Sequence, residues 1–568
     1  MTDPLDQQTL VADQGGEWWR QAVVYQIYPR SFADSNDDGT GDVRGIIAKL
    51  PHLASLGVDA IWVSPWYPSP LFDGGYDVAD YCDIHPDFGT LADADEFVAR
   101  AHELGLRVLI DLVPNHCSID HPWFRKALAA GPGSPERDWF IFRDGLGVNG
   151  ELPPTNWGGM FGGPGWERVT EVDGTPGQWY LHMFAPEQPD WNWENEQVRA
   201  EIDRVLRFWF DRGVDGFRVD VADSLIKHPD FHDMPIDPLT GHGSLQKVAG
   251  SPLWDQPELA DVQRRWRALA DSYAGTELGA RIFVSEAYLP LEQLVEYVRP
   301  DRLHTSFNFE FLQSEWSATS MRTVIDASVA AHDAVGAPTT WVLENHDVVR
   351  VPSRYGKPIS GRSFTAGQQD DGHWQERLAG QVTDLTLGRR RARAAAMLML
   401  ALPGGAYVYQ GQELGLGEVD DLPDEAMQDP AWERSNHTVR GRDGCRVPLP
   451  WSGDKPPFGF GSSAGPWLPQ PAEWSELTVE AQDADPASTL NLFRTVLRLR
   501  HELPALGDGP MTWQDSADEV LDFTREPGFR CVVNFGEAPV ELSGELLASS
   551  AELVDGKLPC DAAAWLRS

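Results

Sequence analysis

The chain has 568 residues, 42% hydrophobic and 23% charged, the composition of a globular protein too long for one small core. Its 87 acidic residues against 46 basic give a net charge of −41, which argues against nucleic acid or an anionic membrane face as partner. No stretch approaches the ~18 apolar residues of a membrane span, and the N-terminus MTDPLDQQTLVADQGGE has neither a basic start nor an apolar core. A cytoplasmic location is therefore expected, with a disordered head to about residue 17.

A first strand is predicted over 22–32 (AVVYQIYPRSF), its helix over 43–56, a second strand over 60–64 with its helix over 91–104, and a third strand over 107–113. The segment from Cys117 to about Trp191 then turns rich in Gly, Pro and Trp, as in WGGMFGGPGW. It is too long for a loop, and an inserted small domain is predicted. Alternation resumes with an amphipathic helix over 196–212, where Val198, Ile202, Val205, Leu206 and Trp209 fall at helical spacing. Strand four follows over 216–221, a helix over 258–273, and strands five to eight over 281–286, 305–309, 339–343 and 405–409. Helices over 390–402 and 490–502 flank strand eight, and 353–386 reads as a polar functional loop. From Gly509 the short runs VLDFTR, RCVVNF and PVELSG predict a small antiparallel β domain.

The same grammar recurs in SLGVDAIWVSP, ELGLRVLIDLVPNH and DRGVDGFRVDVA: a helix ends in Gly, a short apolar run follows, and a polar residue closes it. Eight such strands alternating with helices imply an α/β fold, a closed (β/α)8 TIM barrel. The predicted division is 1–116 and 193–508 for the barrel, 117–192 for the insertion and 509–568 for the C-terminal β domain.

In such a barrel the chemistry sits at the C-terminal strand ends. Those ends carry Asp111 with Asn115 and His116 after strand three, Arg218 and Asp220 on four, Glu286 on five, and His346 and Asp347 after seven. Residues two apart on a strand face the same way, so Arg218 lies beside Asp220, and a guanidinium favours the ionised acid. Alone, that pair fits a structural salt bridge as well as an activated carboxylate. The full set offers paired carboxylates, the requirement of glycoside cleavage, where one group must be ionised and the other protonated. The chain's 23 Trp and 12 Tyr suit sugar stacking as readily as core packing. Five cysteines, Cys82, Cys117, Cys445, Cys531 and Cys560, are spaced for neither zinc nor a disulfide framework and read as unpaired thiols.

DLVPNH at 111–116, GFRVDVA at 216–222, SEA at 285–287 and ENHD at 344–347 resemble, in order, the four sequence regions of the α-amylase superfamily, glycoside hydrolase family 13. The resemblance implies Asp220 as nucleophile, Glu286 as general acid/base and Asp347 as the acid holding the sugar 2-OH and 3-OH. It further implies that Arg218, His116 and His346 bind the first sugar, and that the insertion and tail are the family's domains B and C. FDGGYDVADY at 72–81 is similar to the α-glucosidase stretch that supplies a stacking tyrosine, Tyr76, and an acid, Asp77, at the non-reducing end. VRGRDGCRVPLPW at 439–451 resembles the segment whose arginines pair with that acid, Arg446 first and Arg442 second. QPDWN at 188–192 resembles a fifth region, with Trp191 in place of Leu. Val221, after the nucleophile, resembles α-1,6-acting members.

The loop DSNDDGTGD sets Asp34, Asn36, Asp38 and Asp42 at even positions with Gly39 at the turn, hard donors for calcium or magnesium. Gly45 replaces the Glu an EF-hand needs, and similar loops in oligosaccharide-specific α-glucosidases hold a structural cation with the Thr40 carbonyl. The expected activity is a retaining exo-α-glucosidase acting on short oligosaccharides or α-glucosides, as a monomer or homodimer. Alternatives are a transglucosylase, sucrose isomerase or trehalose synthase with the same site, and, more remotely, a non-catalytic transporter-associated binding subunit.

Overall fold

A computed structural model describes residues 17–567 apart from 239, 246, 248, 249, 278, 365–374 and 462–464. The head expected to be disordered lies outside the described residues, as does the middle of the polar segment after strand seven.

The eight barrel strands are β1 Val23–Ile27, β2 Ala60–Val63, β3 Arg107–Leu112, β4 Gly216–Val219, β5 Ile282–Ser285, β6 Thr305–Ser306, β7 Thr340–Val342 and β8 Gly405–Tyr409. They pair in parallel in the order β7-β8-β1-β2-β3-β4-β5-β6. A parallel bridge from Asn308 to Trp341 closes the ring between β6 and β7. Seven strands are buried at every residue, which is why they read as continuous apolar runs. Gly216 lets β5 approach β4: a Cβ there would lie 2.6 Å from Ile282 Cγ1.

Helices form where the caps and spacing direct. Val43–Leu56 starts where Asp42 accepts from the Gly45 amide and ends at Gly57, φ 92°, a conformation glycine adopts without strain. Glu196–Asp211 starts at Asn195 and buries Val198, Ile202, Val205, Leu206, Trp209 and Phe210. Among the described residues no helix is long and apolar enough to cross a membrane.

Between β3 and β4 the chain forms a helix, Pro122–Ala130, and a three-stranded antiparallel sheet of Phe142–Arg143, Pro176–Leu181 and Trp166–Thr170. Trp191 stacks on Phe140 at 4.4 Å between ring centroids, so it is a core residue of this unit.

Two expectations need correction. PVELSG (539–544) forms no strand and contributes only a bridge from Val540 to Leu558. The five-stranded tail sheet instead uses Glu545–Ser549 and Ala562–Arg567 beside Thr512–Trp513, Val520–Arg525 and Phe529–Asn534. An alanine run carries weak strand propensity, but Ala562, Ala563 and Ala564 are fully buried, and Trp565 Nε1 donates to Met397 O of helix Leu385–Ala401. Small side chains there let the sheet sit against that helix. The polar stretch 353–386 also begins inside a buried helical turn, Val351–Tyr355, on the core side.

Candidate active site

At the C-terminal ends of the strands one guanidinium gathers three acids. Arg218 Nη1 donates to Asp111 Oδ1 and Asp220 Oδ1, each at 2.7 Å, and Nη2 lies 2.7 Å from Glu286 Oε2. All four residues are buried. Asp220 and Glu286 thus sit on the two terminal nitrogens of one guanidinium. The expectation that Arg218 would hold Asp220 ionised is modified by this crowding. Burial raises the Asp220 pKa, Arg218 opposes it, and Glu286 and Asp111 add to the rise, leaving it well above the usual carboxylate value. Asp111 is likewise pushed up to about 7, by burial first. Three carboxylates share one cation here, and that crowding disfavours ionising all of them together.

Glu286 is aimed from its backbone. Its Oε2 accepts from Val221 N at 3.1 Å, and Val221 holds φ at 45°, a left-handed conformation unusual for a β-branched residue. The Asp220 amide bonds Leu112 O, and the Ala222 amide bonds Glu286 O, fixing the turn on both sides.

A second chain of bonds runs from β1. Gln26 Nε2 lies 2.7 Å from His346 Nδ1 and also donates to Ser64. The His346 proton is thereby assigned to Nε2, which sits 2.7 Å from Tyr76 OH and 3.3 Å from Asp347 Oδ2. Tyr76 OH donates in turn to Asp111 Oδ2, as does Trp62 Nε1. Burial lowers His346 to about 3, so it works as a neutral donor. Tyr76 and His346 stack with ring centroids 5.4 Å apart.

Asp347 is met by both predicted arginines: Arg442 Nη1 at 3.0 Å and Arg446 Nη2 at 2.9 Å bond its Oδ1. Burial disfavours its charge, but His346, Arg442, Arg446 and Arg218 outweigh that and hold it far below the ordinary range. The predicted partner of these arginines, Asp77, is elsewhere. Its carboxylate accepts from Ser69 Oγ and the amides of Phe72 and Asp73, folding the loop on itself. The acid facing the arginines is Asp73, whose Oδ1 lies 2.7 Å from Arg442 Nη2. Both acids lie in FDGGYD, and the turn that Asp77 closes presents Asp73. Behind Arg442, Asp429 Oδ2 accepts from its Nε at 2.5 Å.

His116 Nε2 faces Tyr76 O at 3.2 Å, and burial lowers its pKa to about 4. Its neighbour Asn115 belongs to a buried cluster at the junction with the insertion. Lys227 Nζ lies 3.0 Å from Asp190 Oδ2 and 2.8 Å from Asn115 Oδ1.

A cavity of about 1320 Å³ opens at the opposite, N-terminal face, lined by Arg107, Asp215 and Arg281 among others, and none of the strand-end carboxylates lines it. Asp215 there already bonds His102, Arg107 and Arg281.

A family model for the alpha amylase catalytic domain matches residues 26–509. The chain belongs to the α-amylase family. Its relatives include a probable alpha-glucosidase of Rhizobium meliloti, 38% identical over 524 residues (90% of this chain, 88% of the relative). An oligo-1,6-glucosidase of Parageobacillus thermoglucosidasius is 33% identical, with 97% and 96% of the two chains covered. Among solved structures, the alpha-glucosyl transfer enzyme XgtA aligns with a TM-score of 0.80 at 36% identity, over 98% of this chain and 100% of that one. An isomaltulose synthase from Klebsiella sp. LX3 aligns with a TM-score of 0.81 at 30% identity, over 97% and 99%.

In this α-amylase-family chain the loop at 34–42 turns its donors inward. Asp34 accepts from the amides of Asn36, Asp37 and Gly39, and Asp38 from the Thr40 amide and Asn36 Nδ2. Asp42 departs from the expected ligand set, because its carboxylate takes Ser35 and the Gly45 amide at the helix start. Among the described residues no three His, Cys, Asp or Glu side chains converge as a metal site. Asp34, Asn36, Asp38 and the Thr40 carbonyl remain, all hard oxygens of the kind calcium and magnesium prefer.

Sequence reasoning missed Gln26, Trp62, Asp73, Lys227 and Asp429. Gln26 had a visible signal, a lone amide inside the apolar run VVYQI. Asp73 was available in the same motif as Tyr76. Lys227 and Asp429 carry no local signal, since their partners come from distant segments.

Proposed function

We propose that the protein is a cytoplasmic, retaining, exo-acting α-glucosidase of short oligosaccharides. The observation that carries this is the pairing of Asp220 and Glu286 on one guanidinium, with Arg442 joining Asp347 to Asp73 next to them. Asp220 Oδ attacks the anomeric carbon while the bond to the leaving oxygen breaks and Glu286 gives that oxygen its proton. Water then attacks the same carbon, Glu286 takes its proton, and the carbon–Asp220 bond breaks to release α-glucose. Asp347 and the neutral His346 face the ring hydroxyls, and the Arg442–Asp73 pair leaves room for one terminal sugar. Five free thiols fit a reducing compartment.

The test is a time course by NMR with maltose, isomaltose, sucrose and trehalose as separate substrates. Net release of α-glucose supports the proposal, and the maltose-to-isomaltose ranking reads the role of Val221. A folded Asp220→Ala protein with near-normal turnover refutes it. A second reading, favoured by the 36% identity to XgtA, passes the glucosyl group from Asp220 to a sugar or alcohol, giving new glucosides with little free glucose.

We propose also that Asp34, Asn36, Asp38 and the Thr40 carbonyl take a structural calcium or magnesium ion. Melting with EDTA against calcium or magnesium tests it, and a temperature unchanged by both removes the ion.

A further inference from the structure

The stretch WGGMFGGPGW, residues 157–166, finds no role in the chemistry above. Its two tryptophans are buried and anchored, Trp157 Nε1 on His232 O and Trp166 Nε1 on Thr155 Oγ1. Between them the chain makes a tight turn, with Gly162 and Gly163 at φ 89° and 77° and the Gly159 amide bonded to Gly163 O. The turn is held at two points. Met160 N donates to Met183 O inside the insertion, and Gly162 O accepts from Arg434, at 2.6 Å from Nη2 and 3.2 Å from Nε.

Arg434 comes from a segment far along the chain. It ends the short helix Pro430–Arg434 after β8, whose capping residue is Asp429, the acid behind Arg442. The residue presented between the two anchors is Phe161. Its ring lies 5.1 Å from the Arg442 guanidinium carbon and 5.9 Å from Phe184, which is 5.0 Å from His116. The turn thus overhangs the sugar-binding arginine on one side and His116 on the other.

We propose that Arg434 is a specificity-determining clasp: by fixing the Gly159–Gly163 turn it sets Phe161 at the pocket mouth and limits how far a substrate extends beyond its first sugar. This rests on the glucosidase reading. Without the guanidinium the tip loses its hold at Gly162 and is left with the Met160 bond and the tryptophan anchors at its base, and the mouth widens.

The experiment compares kcat/KM for maltotetraose and maltose in the wild type, Arg434→Ala, Arg434→Lys and Gly163→Ala, each checked for folding by its melting temperature. Gly163→Ala perturbs the clasp from the opposite side, since an added Cβ would stand 2.8 Å from Arg434 Nη2. The ratio should rise about tenfold in Arg434→Ala, the worth of one charge-assisted hydrogen bond, through the KM for maltotetraose. It should rise less in Arg434→Lys, and in the same direction in Gly163→Ala. A ratio unchanged within about twofold in folded Arg434→Ala and Gly163→Ala alike overturns the clasp. Failure of the wild type to cleave either sugar would instead overturn the glucosidase reading.

Discussion

Lys227→Met should loosen the joint between the barrel and its insertion. The side chain is 1% exposed and its ammonium meets Asp190, itself 0% exposed, at 3.0 Å. It also donates to Asn115 Oδ1, to Ser224 Oγ at 3.2 Å and to Ser224 O. Asp190 keeps other donors, Met183 N at 3.1 Å and Asn115 Nδ2 at 3.3 Å, but loses the ammonium that balances its charge. Breaking one partner of a buried ion pair costs about 3–5 kcal/mol. At ~2.1 cal/mol/K per residue the unfolding entropy of 568 residues is about 1.2 kcal/mol/K. A cooperative transition would then fall by about 2.5–4 °C. Scanning calorimetry reads it, and Lys227→Met/Asp190→Asn should recover much of the loss, because no buried charge is left uncompensated. A loss below about 1 °C, or a double variant no better than the single, would refute the reasoning.

Asp73→Asn should raise KM about 10- to 100-fold for the best disaccharide, the worth of a charge-assisted bond to Arg442. Asp77→Asn should leave KM within about threefold and lower the melting temperature, since that carboxylate only folds its own loop; equal KM effects would restore the original assignment. Burial raises Glu413 to about 7 and Glu418 to about 8, beside Arg350, whose amide donates to Glu418. The native state then binds protons more tightly than the unfolded chain. Their contribution to stability is therefore fully present below their ordinary value of 4.5 and is lost as pH rises through about 7 and about 8. Glu418→Gln should flatten the fall in melting temperature over that upper window, and parallel curves for variant and wild type would exclude it.

The barrel was legible because each βα unit states itself locally. Gly57 ends its helix and GVDAIWV begins its strand, and helix Val43–Leu56 was placed to the residue. The cluster at the strand ends followed, since bringing Asp111, Arg218 and Asp220 together needs only the strand period and the barrel's polarity. What escaped depended on folding between distant segments. Arg442 chooses between Asp73 and Asp77 by the direction of one turn, which spacing does not encode. Ala562–Arg567 becomes a strand because a helix lies over it, a tertiary override of propensity. Asp42 reads as a ligand by spacing and serves as a helix cap by geometry.

The single guanidinium shared by Asp111, Asp220 and Glu286 also has a consequence for proton supply. A site with as many cations as acids would bind its acids fully ionised, and the proton needed by the leaving oxygen would have to arrive from solvent at each cycle. Three acids around one cation make a fully ionised site costly, and burial together with that crowding raises the pKa values of Asp220 and Asp111. Drying of the site by a bound molecule would raise the cost of adjacent negative charges still further. The excess of negative charge around Arg218 thus makes a proton easier to hold there than on the same acids in water.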